Sequence, residues 1–358
     1  MKSDDPIELS TGIQPRKNVK KIFKAIGVTG LTLFLLAAFL SPFLFMVFTS
    51  LKSPQQMSAM DSPIWPAKQA TYSYQGQDME IFNVPMPDGT TKALAMLKPG
   101  RTSSVFVDPA NPDAGEIVWD GSWRTLKRPW MWAPRWQNFI EVWQAIDFPR
   151  LLGNTLFLAI TTEIGMLVSC TMVAYGFARF RFPRRNLLFT LMIATVFLPS
   201  AVTTIPTYTF FLKIGWVGTY LPLIIPAFFA NAYDVFLLRQ FFLTIPREMD
   251  EAAMMDGASS FRIFWSIILP QSTPVLVAVS VFHIVWSWNN YYDPLIYLST
   301  KPELQPIAVA MARFNGIHST NPHLIQATAL MALIVPLIIF LAAQRFFMQG
   351  IVITGVEK

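Results

Sequence analysis

The side chains that could do chemistry in this sequence are few, and their types point to solute binding rather than to bond making. Glu163 is an isolated ionisable group near the middle of a long apolar run. Farther along the chain, aromatic rings occur beside carboxamides, which suits sugars because sugar rings have apolar faces and hydroxyl edges. These residues are Trp286, Trp288, Asn289, Asn290 and Tyr291. We expect Glu163, Asn289, Asn290 and Tyr291 to lie along a path for solute.

Both groups also have a purely structural interpretation. An acidic group buried in a membrane is costly, so it faces a cavity, a partner or a hydrogen-bonding neighbour such as Thr161 or Thr162. The aromatic residues could belong to the outer interfacial belt, and the carboxamides could hydrogen-bond across helices. For each group, the sequence leaves both the solute-path and the structural interpretation open.

Other kinds of chemistry lack the residues they need. His283, His318 and His323 have no carboxylate or cysteine at metal-ligand spacing, so no metal site is predicted. The single cysteine, Cys170, excludes an intrachain disulfide. No nucleophile and base are arranged for catalysis, and no Gly-x-x-x-x-Gly-Lys-Ser/Thr loop is present to bind ATP. We expect no enzyme activity and no bound cofactor; ATP and Mg²⁺ would be used by a separate ATPase.

The composition places these residues in a membrane protein. Hydrophobic residues make up 53% of the 358-residue chain and charged residues only 14%, whereas soluble domains carry about 25% charged residues. A membrane-spanning helix needs about 20 mostly apolar residues. Six runs reach this length: residues 25–50, 151–175, 187–208, 220–238, 273–298 and 324–344. We therefore predict an all-α integral membrane protein with six transmembrane helices.

Basic residues indicate how these helices are oriented. Lysine and arginine cluster near both termini and in the connections after the second and fourth predicted spans. Cytoplasmic segments are enriched in these residues, so the tails at residues 1–24 and 347–358 should both be cytoplasmic. The same pattern accounts for the net charge of +6, and no basic surface suggests nucleic-acid binding.

The segment at residues 51–149 separates the first two spans and is predicted to be external. Short strand-like runs at residues 79–84, 93–97 and 104–107 alternate with turn sequences that contain proline, glycine and aspartate. This pattern predicts a small β-rich insertion at about residues 67–132, called the insertion below. An unstructured loop is the alternative, although the tryptophans of this segment argue against full disorder.

The connection at residues 245–270 has the pattern of a helix–turn–helix that docks in a groove of another protein. Pro246 can begin a helix, and the acidic residues that follow suit the positive end of the helix dipole. Gly257 permits an abrupt change of direction. Ser259 or Ser260 can then cap a second, strongly apolar helix.

The spacing within this connection resembles the loop that marks the permeases of ATP-binding-cassette (ABC) importers. Glu-Ala-Ala is followed after three residues by glycine, and after nine more by Ile-x-Leu-Pro. In that family the loop is a coupling helix that sits in a cleft of the ATPase subunit. The resemblance implies the same role for residues 245–270, called the coupling loop below. The residues carried over are Glu251, Ala252, Ala253, Met254, Asp256, Gly257, Ala258, Leu269 and Pro270.

Further motifs resemble the MalG type of carbohydrate-importer permease, a binding-protein-dependent transport system inner-membrane component. They lie at residues 50–52, 136–139, 154–156, 174–183, 236–242, 288–290 and 344–346. The insertion departs from that type, which commonly lacks it or keeps it short. The resemblance implies the ABC importer type I permease fold, with a core at residues 150–346, in the plasma (inner) membrane of a prokaryote.

The same resemblance implies a function and a set of partners. The chain would form half of the translocation path for a sugar or oligosaccharide, beside a MalF-like second permease, two ATPase subunits and an external substrate-binding protein. The same machine for another polar solute, such as a glycerol-phosphate ester, an amino acid or a peptide, is the first alternative. An ion-coupled secondary transporter with Glu163 as its proton site is the second, although no inverted repeats support it.

Overall fold

The computed structural model describes residues 15–314 and 321–353, and most of them are helical. A π-helical segment, Phe264–Ile268, joins two of the helices within the coupling loop. The α-helices are α1 (Pro15–Ser50), α2 (Pro54–Ser58), α3 (Gln137–Ala145), α4 (Phe148–Arg179), α5 (Arg185–Ala194), α6 (Ser200–Lys213), α7 (Leu221–Ile224), α8 (Ala232–Thr244), α9 (Arg247–Met255), α10 (Ser260–Ile263), α11 (Leu269–Gln271), α12 (Thr273–Asn289), α13 (Tyr292–Tyr297), α14 (Ile307–Met311) and α15 (Pro322–Ile353).

Several helical segments are long and apolar enough to cross a membrane. Within the described ranges, four do so without a sharp bend: Lys24–Ser50, Phe148–Arg179, Leu221–Thr244 and Pro322–Gln344. Two further helix pairs are bent by 98° and 78° respectively: Arg185–Phe197 with Ala201–Lys213, and Ser260–Gln271 with Thr273–Asn289. The count reaches six spans when each bent pair is taken as one crossing.

The sequence predicts continuous helices over residues 187–208, 220–238 and 273–298, and the structure interrupts each of them. The first bends at Pro199, because proline cannot continue the hydrogen bonding of a helix. The second restarts as α8 after Asn231, whose side chain accepts a hydrogen bond from Asp234 N and caps the new helix. The third ends at Asn289, so Asn290 and Tyr291 lie in the break before α13.

The predicted insertion is present as a β-rich unit. Strands β2 to β6 form an antiparallel sheet in sequence order, and β1 pairs with β7. Gln75 and Gly76 have φ of +50° and +83°, as a two-residue hairpin between β2 and β3 requires. The strands are β1 (Ala67–Gln69), β2 (Thr71–Tyr74), β3 (Gln77–Pro85), β4 (Thr91–Lys98), β5 (Ser103–Val107), β6 (Ile117–Asp120) and β7 (Trp130–Trp132).

The insertion has a hydrophobic core of its own. Phe82, Val84, Leu94 and Phe106 are almost fully buried in it. Phe82 and Val84 are two residues apart on β3 and therefore share one face of the sheet. The rings of Phe82 and Phe106 meet edge to face with their centroids 6.4 Å apart. Every side chain of this cluster comes from the insertion.

Buried polar contacts hold α3 against the end of α1 and α2 against the first strand of the insertion. Asn138 Nδ2 donates to Ser50 O at 2.7 Å and to Lys52 O at 2.9 Å. The fully buried carboxamide of Gln56 accepts a hydrogen bond from Ala67 N at 2.9 Å, where β1 begins. These contacts fix where the chain leaves the helix and enters the sheet.

The helical part is organised around α4, which packs against α8 and α12. Met166, Cys170, Ala174 and Ala178 are buried and recur every four residues, so they form one stripe of α4. By contrast, the most apolar stretch of α1 within Lys24–Ser50 has no buried residue, although α1 contacts α15. The apolar surface of α1 is therefore free to contact lipid or another subunit.

Candidate functional site

The first part of the coupling loop folds as two short helices, α9 and α10, joined by a tight reversal. Helix α9 begins directly after Pro246, and acidic residues occupy its first turn. Gly257 follows with φ of +78°, a backbone conformation that favours glycine. The Ser259 hydroxyl then accepts a hydrogen bond from Arg262 N and caps α10. The predicted helix–turn–helix is thus present, and Ser259 rather than Ser260 is its cap.

Buried polar contacts tie the coupling loop to the end of α4. Arg179 Nε lies 2.9 Å from Asp250 Oδ2, and these side chains are only 5% and 9% exposed. Arg179 Nη2 also donates to Ile245 O at 2.9 Å. One turn earlier on α4, Tyr175 Oη donates to Ser260 O at 3.1 Å. Helix α4 therefore holds α9 and α10 of the coupling loop in place.

Burial also shapes the electrostatics of Asp250. Desolvation raises the pKa of its carboxyl above the ordinary value, and the guanidinium of Arg179 partly offsets this rise by favouring the charged form. Removing one partner of a buried ion pair costs about 3–5 kcal/mol, because the other charge is left uncompensated. The pair therefore specifies how α9 sits on α4.

The other face of α9 and the reversal after it are open to a partner. Met255 is 88% exposed, and methionine side chains adapt readily to an irregular surface. Ala253 and Ala258, in contrast, pack against the helical core. Of the remaining carried-over residues, Leu269 is half-buried and Pro270 is exposed, both in α11. From residue 251 to residue 257 the exposed residues are Glu251, Ala252, Met254, Met255, Asp256 and Gly257.

Sequence reasoning missed the contacts that anchor this loop. It assigned Asp250 to the helix dipole and gave no structural role to Arg179 or Tyr175. A signal was present, because Arg179 and Asp250 carry opposite charges and fall on the same predicted side of the membrane. Their pairing needed the packing of α9 on α4, which the sequence does not display.

A cavity of about 630 Å³ lies among α4, α7, α8, α12 and α13. Its volume is within the range of about 300–1,000 Å³ that is usual for small-molecule sites. Aromatic rings such as Phe229, Tyr233 and Trp286 form part of its wall, together with hydroxyl, carboxamide and carboxyl groups. At this site several helices present polar groups to a partly open cavity.

The residues predicted to line a solute path are not brought together. Asn290 lies in the cavity wall, whereas Glu163, Asn289 and Tyr291 are outside its lining. Asn289 is exposed and donates from Nδ2 to Val285 O at 2.8 Å. Tyr291 is half-buried in the break before α13.

The two tryptophans of the aromatic group separate as well. Trp286 lines the cavity. Trp288 is buried in a cluster of side chains from α3, α4, α14 and α15. Spacing along α12 explains this difference, because residues two apart on a helix point in different directions.

Glu163 is buried in α4 and is 8% exposed. Its carboxyl oxygens make no well-aligned hydrogen bond with a described residue, although the Ser280 hydroxyl of α12 is within reach of one. Asp234 of α8 is close enough to act on Glu163 electrostatically. Its surroundings are therefore a buried contact among three helices and not the cavity wall.

The histidines do not assemble. His283 lines the cavity and lies beside Trp286, with ring centroids 5.9 Å apart, whereas His323 is buried at the start of α15. His318 lies outside the described residues. Within the part of the chain that the structure describes, no three His, Cys, Asp or Glu side chains are grouped to hold a metal ion.

Comparison with curated proteins finds permeases. The osmoprotective compounds uptake permease protein GgtD of Synechocystis sp. is 28% identical over 256 residues, which cover 71% of this chain and 86% of that protein. The sn-glycerol-3-phosphate transport system permease protein UgpE of Yersinia pestis is 33% identical over 228 residues, which cover 61% of this chain and 79% of that protein. This chain is therefore similar to transport permeases over most of their length.

The fold is also similar to a solved structure. It matches a chain of a bacterial ABC transporter involved in the import of the acidic polysaccharide alginate, with a TM-score of 0.63 and 18% sequence identity. The match covers 94% of this chain and 100% of that chain. A permease family matches residues 164–353, which contain the second half of α4, all of α5 to α14 and the described α15. The chain belongs to that family, the binding-protein-dependent transport system inner membrane components, and is a permease subunit of an ABC importer.

Proposed function

We propose that this chain forms half of the translocation path for a sugar or oligosaccharide and couples that path to a separate ATPase through the coupling loop. The observation that carries this proposal is the two-sided character of the loop. One side is tied to α4 by Arg179, Asp250 and Tyr175, and the other side is exposed. A partner that pushes on α9 would therefore move a membrane helix.

The proposed mechanism is alternating access. ATP draws the two ATPase subunits together, which pushes on the exposed side of α9, and the Arg179–Asp250 ion pair passes this movement to α4. The π-helical segment Phe264–Ile268 and α11 pass it to α12. Because α4 and α12 both line the cavity, their displacement changes access to it. The solute undergoes no chemical change, and ATP and Mg²⁺ are used by the partner subunits.

The proposed assembly contains a MalF-like second permease, two ATPase subunits and an external binding protein in a prokaryotic inner membrane. The unburied apolar surface of α1 supports a membrane or subunit contact. Counting each bent pair as one crossing gives six spans. With six spans, both termini and the coupling loop lie on one side of the membrane and the insertion on the other, and the basic residues near the termini assign the first side to the cytoplasm. Membership in the permease family excludes the ion-coupled secondary transporter.

A sugar is the favoured solute because of the composition of the cavity wall. Trp286 offers a flat apolar surface, and the hydroxyl oxygens of Thr162 and Ser287, which lie 3.4 Å apart, belong to the same cavity lining. Ring stacking and hydroxyl contacts of this kind suit a sugar. A glycerol-phosphate ester is the second candidate, which the similarity to UgpE favours.

The test is the ATPase activity of the complete reconstituted complex, with its binding protein and a panel of sugars and glycerol 3-phosphate. We expect one or more sugars to raise the activity. Stimulation by glycerol 3-phosphate alone would replace the sugar by the second candidate. A complex that hydrolyses ATP but imports none of a wide range of polar solutes would contradict the proposed path.

A further inference from the structure

We infer that the cavity accepts neutral or cationic polyhydroxyl solutes and rejects anionic ones, and that Asp234 and Asp293 set this selectivity. The inference rests on the proposed function, because it names the charge class of the solute that the path carries. Its basis is an asparagine–aspartate pair that occurs twice in the wall of the same cavity.

The first pair stands at the start of α8. Asn231 Nδ2 donates to Asp234 Oδ2 at 2.6 Å, and Asp234 N donates to Asn231 Oδ1 at 2.9 Å. Because the two bonds are reciprocal, they fix the orientation of the carboxamide and hold the carboxyl group in place. Asp234 is only 6% exposed, and both residues line the cavity.

The second pair has the same spacing and stands at the start of α13. Asn290 Nδ2 donates to Asp293 Oδ2 at 2.9 Å, and Asp293 N donates to Asn290 Oδ1 at 3.3 Å. Both of these residues also line the cavity. In each pair one carboxyl oxygen is engaged by the asparagine, and the other has no hydrogen-bond partner within the described ranges.

The charge of the wall decides which solutes fit. Asp234 and Asp293 carry the carboxyl groups of the lining, and no lysine or arginine belongs to it among the described residues. The other titratable side chains of the lining are those of His283 and Tyr233. Like charges repel more strongly in a cavity walled by membrane helices than in bulk water. A phosphate or carboxylate on the solute would therefore be repelled.

Hydroxyl and ammonium groups have the opposite relation to this wall. Both donate hydrogen bonds, and bonds to a charged acceptor are about twice as strong as those between neutral groups. Each fixed carboxylate can accept a donor from the solute while the rings of Phe229 and Trp286 cover an apolar face. Helix capping explains why Asn231 binds Asp234, and a local turn explains the bond of Asn290 with Asp293. Neither explains why both pairs meet in one cavity that has aromatic walls.

The experiment is ATP-driven uptake by the complete complex in proteoliposomes, with the binding protein present. The solutes are neutral (maltose, trehalose), cationic (glucosamine) and anionic (galacturonate, glycerol 3-phosphate), followed by a wider panel of the same three classes. We expect every imported solute to be neutral or cationic. Import of an anionic solute would overturn this inference and leave the proposed permease function intact. No import of any solute would contradict the proposed function itself.

Two substitutions test the aspartates directly. Asp234→Asn and Asp293→Asn keep the shape of each pair and remove its charge. Each should lower kcat/KM for uptake of the imported solute by about tenfold or more, since a hydrogen bond to a charged group is lost. Asp113→Asn is the matched control, because Asp113 is exposed in the insertion, and it should leave uptake unchanged.

Assembly of each variant complex is checked by size-exclusion chromatography and by basal ATPase activity, so that a folding defect is recognised. Asp234→Glu and Asp293→Glu, which keep the charge, should retain the rejection of galacturonate. Assembled Asn variants with unchanged uptake kinetics would refute the role of the two aspartates.

Discussion

The insertion and the coupling loop both lie outside the apolar spans, yet they are held in opposite ways. The insertion encloses its own core around Phe82 and Phe106. The coupling loop has no separate core: Ile263, Phe264 and Ile268 are buried in a cluster shared with α4 and α8. A unit with its own core can respond independently of the membrane helices. A loop that shares their core must move with them, which makes it suited to transmit force.

The largest effect on coupling should come from the buried ion pair. Arg179→Gln leaves Asp250 buried without its counter-charge, which costs about 3–5 kcal/mol. We expect the variant complex to lose solute-stimulated ATPase activity and to unfold at lower temperature. Stimulated ATPase assays and thermal unfolding of the purified complex measure both effects.

The insertion offers a matched control for that change. Its ion pair, Arg128 with Glu80 at 2.7 Å, is partly exposed at 21% and 46%. Exposed pairs contribute about 0–1 kcal/mol. Arg128→Gln should therefore leave stimulated ATPase activity close to that of the wild type. Equal losses in the two variants would break the distinction between the regions.

A core substitution in the insertion should have a large but local effect. Leu94 is fully buried there, and Leu→Ala changes in protein cores cost about 2–5 kcal/mol. Leu94→Ala should make the insertion sensitive to limited proteolysis while basal ATPase activity and complex assembly stay unchanged. Loss of assembly would show that the insertion is not an independent unit.

The smallest effect should follow removal of one hydroxyl. Tyr175→Phe deletes the hydrogen bond to Ser260 O, which is worth about 0.5–1.5 kcal/mol. We expect a modest fall in stimulated ATPase activity with no loss of assembly. The reference is Tyr72→Phe, in an insertion strand. A greater loss for Tyr72→Phe than for Tyr175→Phe would count against the special position of the coupling loop.

Much of this architecture could be predicted from local sequence signals. Turn residues such as Asp88 and Gly89 marked the strands of the insertion, because such residues adopt turn geometry whatever their surroundings. The reversal at Gly257 was likewise predicted, and the cap was narrowed to Ser259 or Ser260, since both features depend on a few neighbouring residues. The apolar runs predicted membrane helices by length alone.

Features that depend on packing between distant segments could not be predicted. The ion pair of Arg179 with Asp250 joins two helices far apart in sequence. The position of Glu163 in its span indicated burial, but not whether it faced the cavity or neighbouring helices. Asn290 was identified by residue type. Its bond to Asp293 was missed, because the expected continuous helix over residues 273–298 concealed the break that makes the bond possible.

The central claim is that the exposed reversal of the coupling loop engages the ATPase, and a pair of glycines tests it most directly. Gly257 and Gly89 each follow an aspartate, each has φ of +78°, and a Cβ added to either meets nothing within 4 Å. A side chain in this conformation costs about 1–2 kcal/mol at either site. Because this conformational cost is the same at both sites, a larger difference in ATPase activity between the two variants must come from contact with a partner.

The measurement is solute-stimulated ATPase activity of the assembled complex with Gly257→Asp or Gly89→Asp. We predict that Gly257→Asp abolishes stimulation while Gly89→Asp, in the insertion, retains it. Full stimulation of an assembled Gly257→Asp complex would contradict the account, because the coupling loop would then not be the surface on which the ATPase acts.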